Sequence, residues 1–521
     1  MGIEQLHRAA DIPQLIEGVS ITNLMYAIWC SRKDLQIAFD LNSSVGQDAY
    51  RRWCDASLLR DYGIGAQTID EAIDNESTDR VSVISKSNYH RLVRMESMLA
   101  RLSRVLPSKI RASGRSYWNR LLARIARNVA RKSKTSNQTK NVTATQCVGK
   151  KNFALPGANL IGYVFSESGM GEHVRMSAAS FSTTDINFGV INFGYGVPSR
   201  TKALLRHGTL ESTNRYKANI FHINADQMIH VYGKLGENFF SNRLNISYPF
   251  WELSKFPTEW TPFLKVMDEV WAPTRFIQNS ISNALSKAVH YMPVSIELPP
   301  VENKGRIFFG IPEGCFTFLA TFDFFSYIHR KNPWAVVRAF MLAFPRLNEN
   351  VCLVVKVMNA DESNGDWKEL KDIAARDRRI ILINKVMTID ELLSLKLACD
   401  CYVSLHRAEG LGRGPMEAML LGKPTILTNY SGSTDYARED NSCLVNYSLI
   451  PIQEGQYVHF LDQVWADPDI EHAAWHMKNL ANNADLCGRM GKTARDFINE
   501  HFSPARCGSL YKQRLHELGV I

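Results

Sequence analysis

The residue types best suited to chemistry lie in one stretch, residues 404–436 (SLHRAEGLGRGPMEAMLLGKPTILTNYSGSTDY). Two carboxylates in it, Glu409 and Glu417, stand eight positions apart, and the glycines between them let the backbone approach a ligand closely. Carboxylates accept hydrogen bonds from hydroxyl groups and can hold two at once. The spacing therefore indicates a loop that binds a ligand carrying several hydroxyls.

The residues around the loop predict the elements that position it. Apolar strand residues end at Leu405, Pro415 suits the first turn of a helix, and Gly422 suits the position just after a helix end. A glycine loop that leads into a helix N-terminus is a ready site for phosphate. Two glutamates eight apart are common by themselves, and the alternative is a helix-capping Glu417 with a surface Glu409. The combination with strand, glycines and helix makes the pattern specific.

Strand and helix patterns alternate from about residue 157 onward, which is typical of parallel sheets flanked by helices. Such sheets bind ligands beyond the carboxyl ends of their strands. We therefore predict two Rossmann-like domains that face a cleft. The predicted strands are 159–165, 186–193, 220–223, 245–250 and 269–272, and then 316–322, 351–357, 380–383, 401–406 and 425–428.

The stretch 404–436 resembles the donor-site signature of the retaining glycosyltransferases of family 4 (glycosyl transferases group 1). Residues 322–344 and 160–175 are similar to strand, loop and helix segments of that family, and residues 248–276 are similar to bacterial polysaccharide-assembly members. The resemblance covers about residues 155–515. It implies an α/β protein of GT-B architecture, with two Rossmann-like domains facing a cleft and a mainly helical N-terminal extension.

Five segments follow from this resemblance and from the composition along the chain. We predict a helical N-terminal region (1–100), a basic amphipathic arm and linker (101–151), an N-terminal Rossmann-like acceptor domain (152–300), a C-terminal Rossmann-like nucleotide-sugar donor domain (301–500) and a C-terminal helix (501–521).

The resemblance also implies roles for single residues. Glu409 is expected at the donor sugar and Glu417 at the ribose. Lys331 matches the lysine of a basic pair that neutralises the leaving diphosphate. The usual arginine falls near Ser326, which departs from the pattern, so Arg330 or Lys356 is expected to supply the second charge; a surface charge is the alternative for Arg330. The expected catalytic residues are Glu409, Lys331, Arg330 and Glu252, and the expected donor-binding residues are Glu417, Gly410, Leu411, Gly412, Arg413, His406, Lys356, Gly171, Ser431 and Gly432.

These roles describe a glycosyltransferase, in particular a hexosyltransferase. The expected donor is a UDP- or GDP-sugar, with mannose favoured by analogy alone, and the expected acceptor is a saccharide or a lipid-linked saccharide in surface polysaccharide assembly. The nucleotide sugar is a co-substrate, and no cofactor or metal is expected. Two alternatives stay open: a catalytically silent saccharide-binding partner that recruits other enzymes to the membrane, and a nucleotide-sugar epimerase on the same fold.

Charge is concentrated in the predicted arm. Residues 101–151 contain 14 Lys or Arg and no Asp or Glu, whereas the net charge of all 521 residues is +9. An apolar stripe at helical spacing runs through the arm, with arginines off the stripe. The stripe consists of Trp118, Leu121, Leu122, Ile125 and Val129. A basic amphipathic helix of this kind binds an anionic membrane surface or packs on the protein body. Nucleic acid is not expected as a partner, because aromatic residues are not interleaved with the basic ones.

The overall composition limits the class of protein and its cellular location. A hydrophobic share of 45% and a charged share of 22% exclude disordered, collagen-like and coiled-coil proteins. No window of about 20 residues is apolar throughout, and the N-terminus lacks the apolar core of a signal peptide. The ten cysteines show no metal-type CxxC pair. We expect a cytoplasmic protein that associates with the inner face of the membrane through residues 101–134.

Overall fold

The computed structural model describes residues 21–31, 33–41, 43, 46–47, 49–54, 154–195 and 199–521. The arm and linker predicted at 101–151 lie outside these residues and stay a prediction. Within the described residues, no helix is long and apolar enough to cross a membrane.

The first sheet is parallel and, in the part of the chain that the structure describes, has six strands. They are β1 (Leu155–Gly162), β2 (Phe188–Asn192), β3 (Tyr216–His222), β4 (Leu244–Ser247), β5 (Glu269–Ala272) and β6 (Val289–Tyr291), in the order β2-β1-β3-β4-β5-β6. Its helices are α3 (Gly169–Ser182), α4 (Met228–Leu235), α5 (Glu237–Phe240), α6 (Thr261–Val266) and α7 (Arg275–Ser282); α1 (Asn23–Ser31) and α2 (Lys33–Ala38) precede them.

A second parallel sheet, also six-stranded within residues 199–521, repeats this plan. Its strands are β7 (Phe316–Asp323), β8 (Val351–Met358), β9 (Ile380–Asn384), β10 (Cys401–Ser404), β11 (Thr425–Thr428) and β12 (Cys443–Val445), in the order β12-β11-β10-β7-β8-β9. The helices that occur along this part of the chain are α8 (Ile328–Lys331), α9 (Pro333–Ala343), α10 (Gly365–Ala374), α11 (Ile389–Ala398), α12 (Arg413–Leu420), α13 (Ile470–Ala481), α14 (Ala484–His501) and α15 (Pro504–Glu517).

Local sequence explains why these elements begin and end where they do. Strand β8 is buried along seven of its eight residues, and a strand covered on both faces needs a continuous apolar run such as VCLVV. Helix α11 begins with a capping box in which Thr388 and Glu391 satisfy each other's backbone amides. The alternation of strand and helix was predicted, and β5 and β11 have the predicted bounds. Strand β10 ends at Ser404 instead of residue 406, because the chain already turns into the glycine loop there.

The sequence did not predict an antiparallel hairpin between β12 and α13. Its strands are β13 (Tyr447–Pro451) and β14 (Val464–Pro468), joined by residues 452–463. The joining residues contact the first domain, since Lys255 donates to the carbonyl of Asp462 over 2.7 Å and Gln463 donates to the carbonyl of Lys255 over 2.7 Å. The hairpin therefore connects the two Rossmann-like domains.

Both ends of the described chain complete the core of the first domain. Helix α1 places Met25 and Ile28 in one apolar cluster with Phe221 and Phe263. At the other end, α15 packs on α3 and buries Tyr511 against Trp271, with ring centroids 5.5 Å apart. The sequence assigned no role to the N-terminal helices. The structure shows that their apolar residues are buried in the core of the first domain.

Candidate active site

The loop between β10 and α12 has the backbone geometry that its glycines predicted. Gly412 precedes α12 with φ 83°, and a Cβ atom there would lie 2.6 Å from the Tyr436 hydroxyl. That hydroxyl donates a 2.8 Å hydrogen bond to the Gly412 carbonyl, which holds the turn in place. Gly422 follows the helix with φ 73°, so that it ends α12 as expected.

The loop presents a row of backbone amides without partners. The N–H groups of residues 410–414 donate no hydrogen bond to any part of the chain that the structure describes, and Gly412 offers no side chain to cap the helix. Unsatisfied amides are costly unless water or a ligand pairs with them. A row of such amides at a helix N-terminus has the electrostatics of an anion site.

A buried carboxylate with two cations stands at the start of this loop. Arg330 donates to Glu409 Oε2 over 3.0 Å, and Lys331 donates to Glu409 Oε1. Burial opposes the ionisation of Glu409, but the adjacent Lys331 and Arg330 outweigh that effect and lower its pKa to about 2. Glu409 is therefore a fixed anion at any physiological pH.

The two cations differ in what they can still reach. The Arg330 side chain is only 5% exposed and also donates to the Ala408 carbonyl over 2.9 Å, so that its guanidinium is committed to the loop. The Lys331 side chain keeps 21% of its surface exposed, which leaves its ammonium able to contact a ligand. The surface alternative for Arg330 is wrong, because this residue is buried and ion-paired. Its position makes it a group that orients Glu409.

Glu417 lies in a second ion-pair network that crosses between the domains. It accepts from Lys396, and it accepts from Arg413 Nε over 2.6 Å. Arg413 also pairs with Glu172 in the first turn of α3, and Glu172 accepts from Arg175 over 2.8 Å. Burial raises the pKa of Glu417, whereas Lys396 and Arg413 lower it, and the net shift is downward. The network keeps Glu417 ionised and connects α12 to α3.

Lys356 is a buried cation whose ammonium has no hydrogen bond or ion pair among the described residues. It lies on β8, is 4% exposed, and burial lowers its pKa to about 8 although Asp323 opposes the shift. A buried ammonium without an ion-pair partner is costly. An anionic ligand at the carboxyl end of β8 would supply that partner.

Three predicted donor-site residues support the loop from behind. His406 is fully buried, with its ring nitrogens 3.1 Å from the Ser404 and Ser433 hydroxyls, and burial lowers its pKa to about 4. The amide of Glu409 donates to Ser431 Oγ over 2.8 Å, and the amide of Gly432 donates to the Glu409 carbonyl over 2.9 Å. These contacts hold the loop, and the buried side chains of His406 and Ser431 do not face an open site.

The first domain supplies the other side of the site. Gly171 lies in the first turn of α3, which the Ser168 hydroxyl caps by accepting from the Gly171 amide over 3.3 Å. Glu252 accepts a 2.7 Å hydrogen bond from the Tyr457 hydroxyl of the hairpin. Leu411 packs between apolar clusters of both domains, and the Gly410 carbonyl accepts from Thr274 over 3.0 Å. The structure thus brings Glu252, the glycine loop and the basic pair together.

Sequence reasoning missed three residues of this arrangement: Lys396, Glu172 and Tyr457. Lys396 had one usable signal, because a lysine at a buried position of the apolar face of α11 needs a counter-charge. The pairs Glu172–Arg413 and Tyr457–Glu252 had none, since each forms only between the domains. Among the described residues, no group of three or more His, Cys, Asp or Glu is placed to hold a metal ion.

Comparisons with known proteins concern the fold and the stretch that contains this loop. Residues 320–497 match the family model of the glycosyl transferases group 1. The crystal structure of HepE from Anabaena in complex with UDP and glucose superposes with a TM-score of 0.51 at 13% identity, over 69% of this chain and 99% of that chain. Sucrose-phosphate synthase from Thermosynechococcus elongatus superposes with a TM-score of 0.51 at 12% identity, over 70% of this chain and 98% of that chain. No curated protein sequence gave a significant match.

The matched region contains the whole loop, the basic pair and both glutamates. The family match is confined to residues 320–497, and the two structural similarities confirm the predicted GT-B fold. The protein is therefore a glycosyltransferase.

The buried Glu417 pair makes a prediction about stability. We expect Glu417→Gln to lower the free energy of unfolding by about 3–5 kcal/mol, because Lys396 is then left buried without its carboxylate. The double variant with Lys396→Met should be less destabilised than Glu417→Gln alone. Urea denaturation measures both. Asp496→Asn is the control, since it breaks the exposed Lys492–Asp496 pair and should cost less than about 1 kcal/mol. Equal losses in Glu417→Gln and Asp496→Asn would contradict the interpretation.

Proposed function

We propose that the protein transfers a sugar from a UDP- or GDP-sugar, with retention at the anomeric carbon, to a saccharide or lipid-linked saccharide acceptor in surface polysaccharide assembly. The observation that carries the proposal is the row of unbonded amides at residues 410–414 beside the partly exposed Lys331. Together they form a cradle for a diphosphate. The complex of HepE with UDP and glucose supports a nucleotide sugar as the donor.

The proposed step breaks the bond between the anomeric carbon and the diphosphate oxygen. The electron pair leaves with the diphosphate, whose growing charge is stabilised by Lys331, by the loop amides and by the N-terminus of α12. The acceptor oxygen bonds to the anomeric carbon, and its proton passes to the leaving phosphate on the same face. No protein nucleophile is needed in this scheme. Glu409 then acts as a fixed acceptor for donor-sugar hydroxyls and does not form a covalent intermediate.

The remaining donor contacts follow from the charges in the site. Glu417 is engaged by Lys396 and Arg413, but a carboxylate has about four lone-pair sites and can still accept from ribose hydroxyls. A phosphate would give Lys356 the ion-pair partner that it lacks among the described residues. Glu252 is proposed to face the acceptor from the first domain. No metal and no cofactor is part of the proposal, and mannose stays the favoured sugar by analogy only.

A panel of nucleotide sugars tests the donor. We expect isothermal titration calorimetry to find one UDP- or GDP-sugar that binds, and that donor should release nucleoside diphosphate slowly without acceptor. Proton NMR of the first sugar product should show the anomeric configuration of the donor retained. Binding of no nucleotide sugar, or binding without any turnover, would favour the silent saccharide-binding partner. A changed sugar still attached to its nucleotide would favour the epimerase.

Glu409 gives the sharpest test of the catalytic site. We expect Glu409→Gln to lower turnover of that donor at least about tenfold, because a charged hydrogen bond next to the reacting sugar is lost. The matched control is Glu500→Gln, which changes an exposed glutamate of α14 and should keep full activity. Circular dichroism checks that both variants fold. Unchanged turnover in Glu409→Gln would remove this residue from the site.

The basic arm supports a location at the membrane. We propose that the enzyme works in the cytoplasm and that residues 101–134 hold it on the anionic inner face of the membrane. Deleting these residues should reduce the fraction of protein that sediments with anionic vesicles. Raised salt should reduce the vesicle binding of the full-length protein in the same way. Neutral vesicles serve as the control. Equal binding with and without the arm would show that the arm packs elsewhere.

A further inference from the structure

Tyr327 is held in an unusual conformation immediately before the basic pair. Its φ of 61° and ψ of 105° lie where glycine is favoured, and such strain persists only where the surrounding structure imposes it. The turn sets Arg330 and Lys331 toward Glu409 and leaves the Tyr327 side chain 39% exposed. The strained turn thus presents an aromatic ring beside the proposed reaction site.

The ring of Tyr327 is supported by a residue from the hairpin. The Tyr457 ring packs against it edge to face, with centroids 4.7 Å apart and an interplanar angle of 64°. Tyr457 also lies 5.9 Å from the Arg330 guanidinium and donates its hydroxyl to Glu252. One buried tyrosine therefore fixes the Tyr327 ring, a carboxylate of the first domain and the cation that orients Glu409.

The hairpin that carries Tyr457 is itself docked on the first domain. Besides the contacts of Lys255, His459 pairs with Glu259 over 2.7 Å, and its ring packs against Trp260 with centroids 4.7 Å apart. These contacts come from the segment before α6 and from the loop of the hairpin. The contacts of the hairpin with the first domain therefore position Tyr457 without the help of the glycine loop.

The chemistry of this cluster matches a pyranose ring. A pyranose has a face of C–H groups, which packs on an exposed aromatic ring, and hydroxyls at its edge, which donate to a carboxylate. Tyr327 offers the ring and Glu252 offers the carboxylate. Tyr327 begins the turn that ends at Lys331, and Glu252 accepts from the Tyr457 that packs on Tyr327, whereas Glu417 and Lys396 lie on α12 and α11.

We propose that Tyr327, supported by Tyr457, is the stacking platform for the pyranose ring of the saccharide acceptor, with Glu252 accepting from its hydroxyls. The assignment rests on the proposed function, in that it names the acceptor subsite of the same transferase. It requires the hairpin at residues 447–468, which supplies Tyr457 and thereby makes this segment a determinant of acceptor specificity.

Saturation-transfer NMR with methyl pyranosides tests the assignment without knowledge of the donor. The probes are the methyl α-pyranosides of glucose, galactose and mannose, added to the full chain with and without UDP or GDP. We expect ring C–H signals from at least one of them with the wild type, reduced at least about fivefold in Tyr327→Ala and kept in Tyr327→Phe, since only the aromatic face is needed. Phe308→Ala, which removes an exposed ring elsewhere, should keep the signal.

Two readouts separate this proposal from the proposed function. Calorimetry with UDP and GDP should give the same nucleotide affinity for the wild type and Tyr327→Ala, and thermal unfolding checks that the variant folds. Loss of pyranoside signal with nucleotide binding intact supports the platform. If the wild type binds no nucleotide but its pyranoside binding still depends on Tyr327, the proposed nucleotide-sugar donor is wrong and the pyranose subsite is supported. Equal pyranoside signals from the wild type and Tyr327→Ala, or none from the wild type, would overturn the assignment.

Discussion

The site depends on the burial of one carboxylate between two cations. Glu409 follows β10, whereas Arg330 and Lys331 follow β7, and these two strands pair in parallel in the middle of the second sheet. Parallel neighbours end at the same edge, so their loops meet there. A buried carboxylate is costly unless it is paired and hydrogen-bonded, and the pairing therefore fixes both loops at once.

Because Glu409 holds the start of the loop in place, the backbone amides that follow it can remain without a hydrogen-bond partner in the described chain. The amides of residues 410–414 have no partner in the described chain, and the supporting contacts of Ser431, Gly432 and Tyr436 go to carbonyl and flanking groups of the loop. A rigid support and a free row of donors are what an anion site needs, because no reorganisation is then required when charge develops. The second network, through Glu417 and Arg413, extends the same principle to the contact between the domains.

Contacts between distant parts of the chain complete the first domain. The N-terminal helices and the C-terminal α15 both bury apolar residues in it, and the hairpin at 447–468 crosses from the second domain. Residues far apart in sequence, such as Glu252 and Tyr457, meet only because of these crossings. The proposed acceptor side is therefore assembled mainly from the hairpin and the first domain, while the proposed donor side is built mainly from loops of one sheet.

The sequence by itself determined the strand–helix alternation and the glycine loop that leads into a helix, because these depend on local periodicity and on turn residues. The pairing of Glu409 with Arg330 and Lys331 was not predicted, because it needs the loops after β10 and β7 to meet. The sequence also predicted a donor role for His406 and Ser431, whose side chains instead support the loop from inside. Only the tertiary structure decided that Arg330 is buried, that Lys396 pairs with Glu417 and that Tyr457 supports Tyr327. Each of these depends on contacts across a sheet or between domains, where side-chain burial is set by packing of distant segments and leaves no periodic signal in the chain.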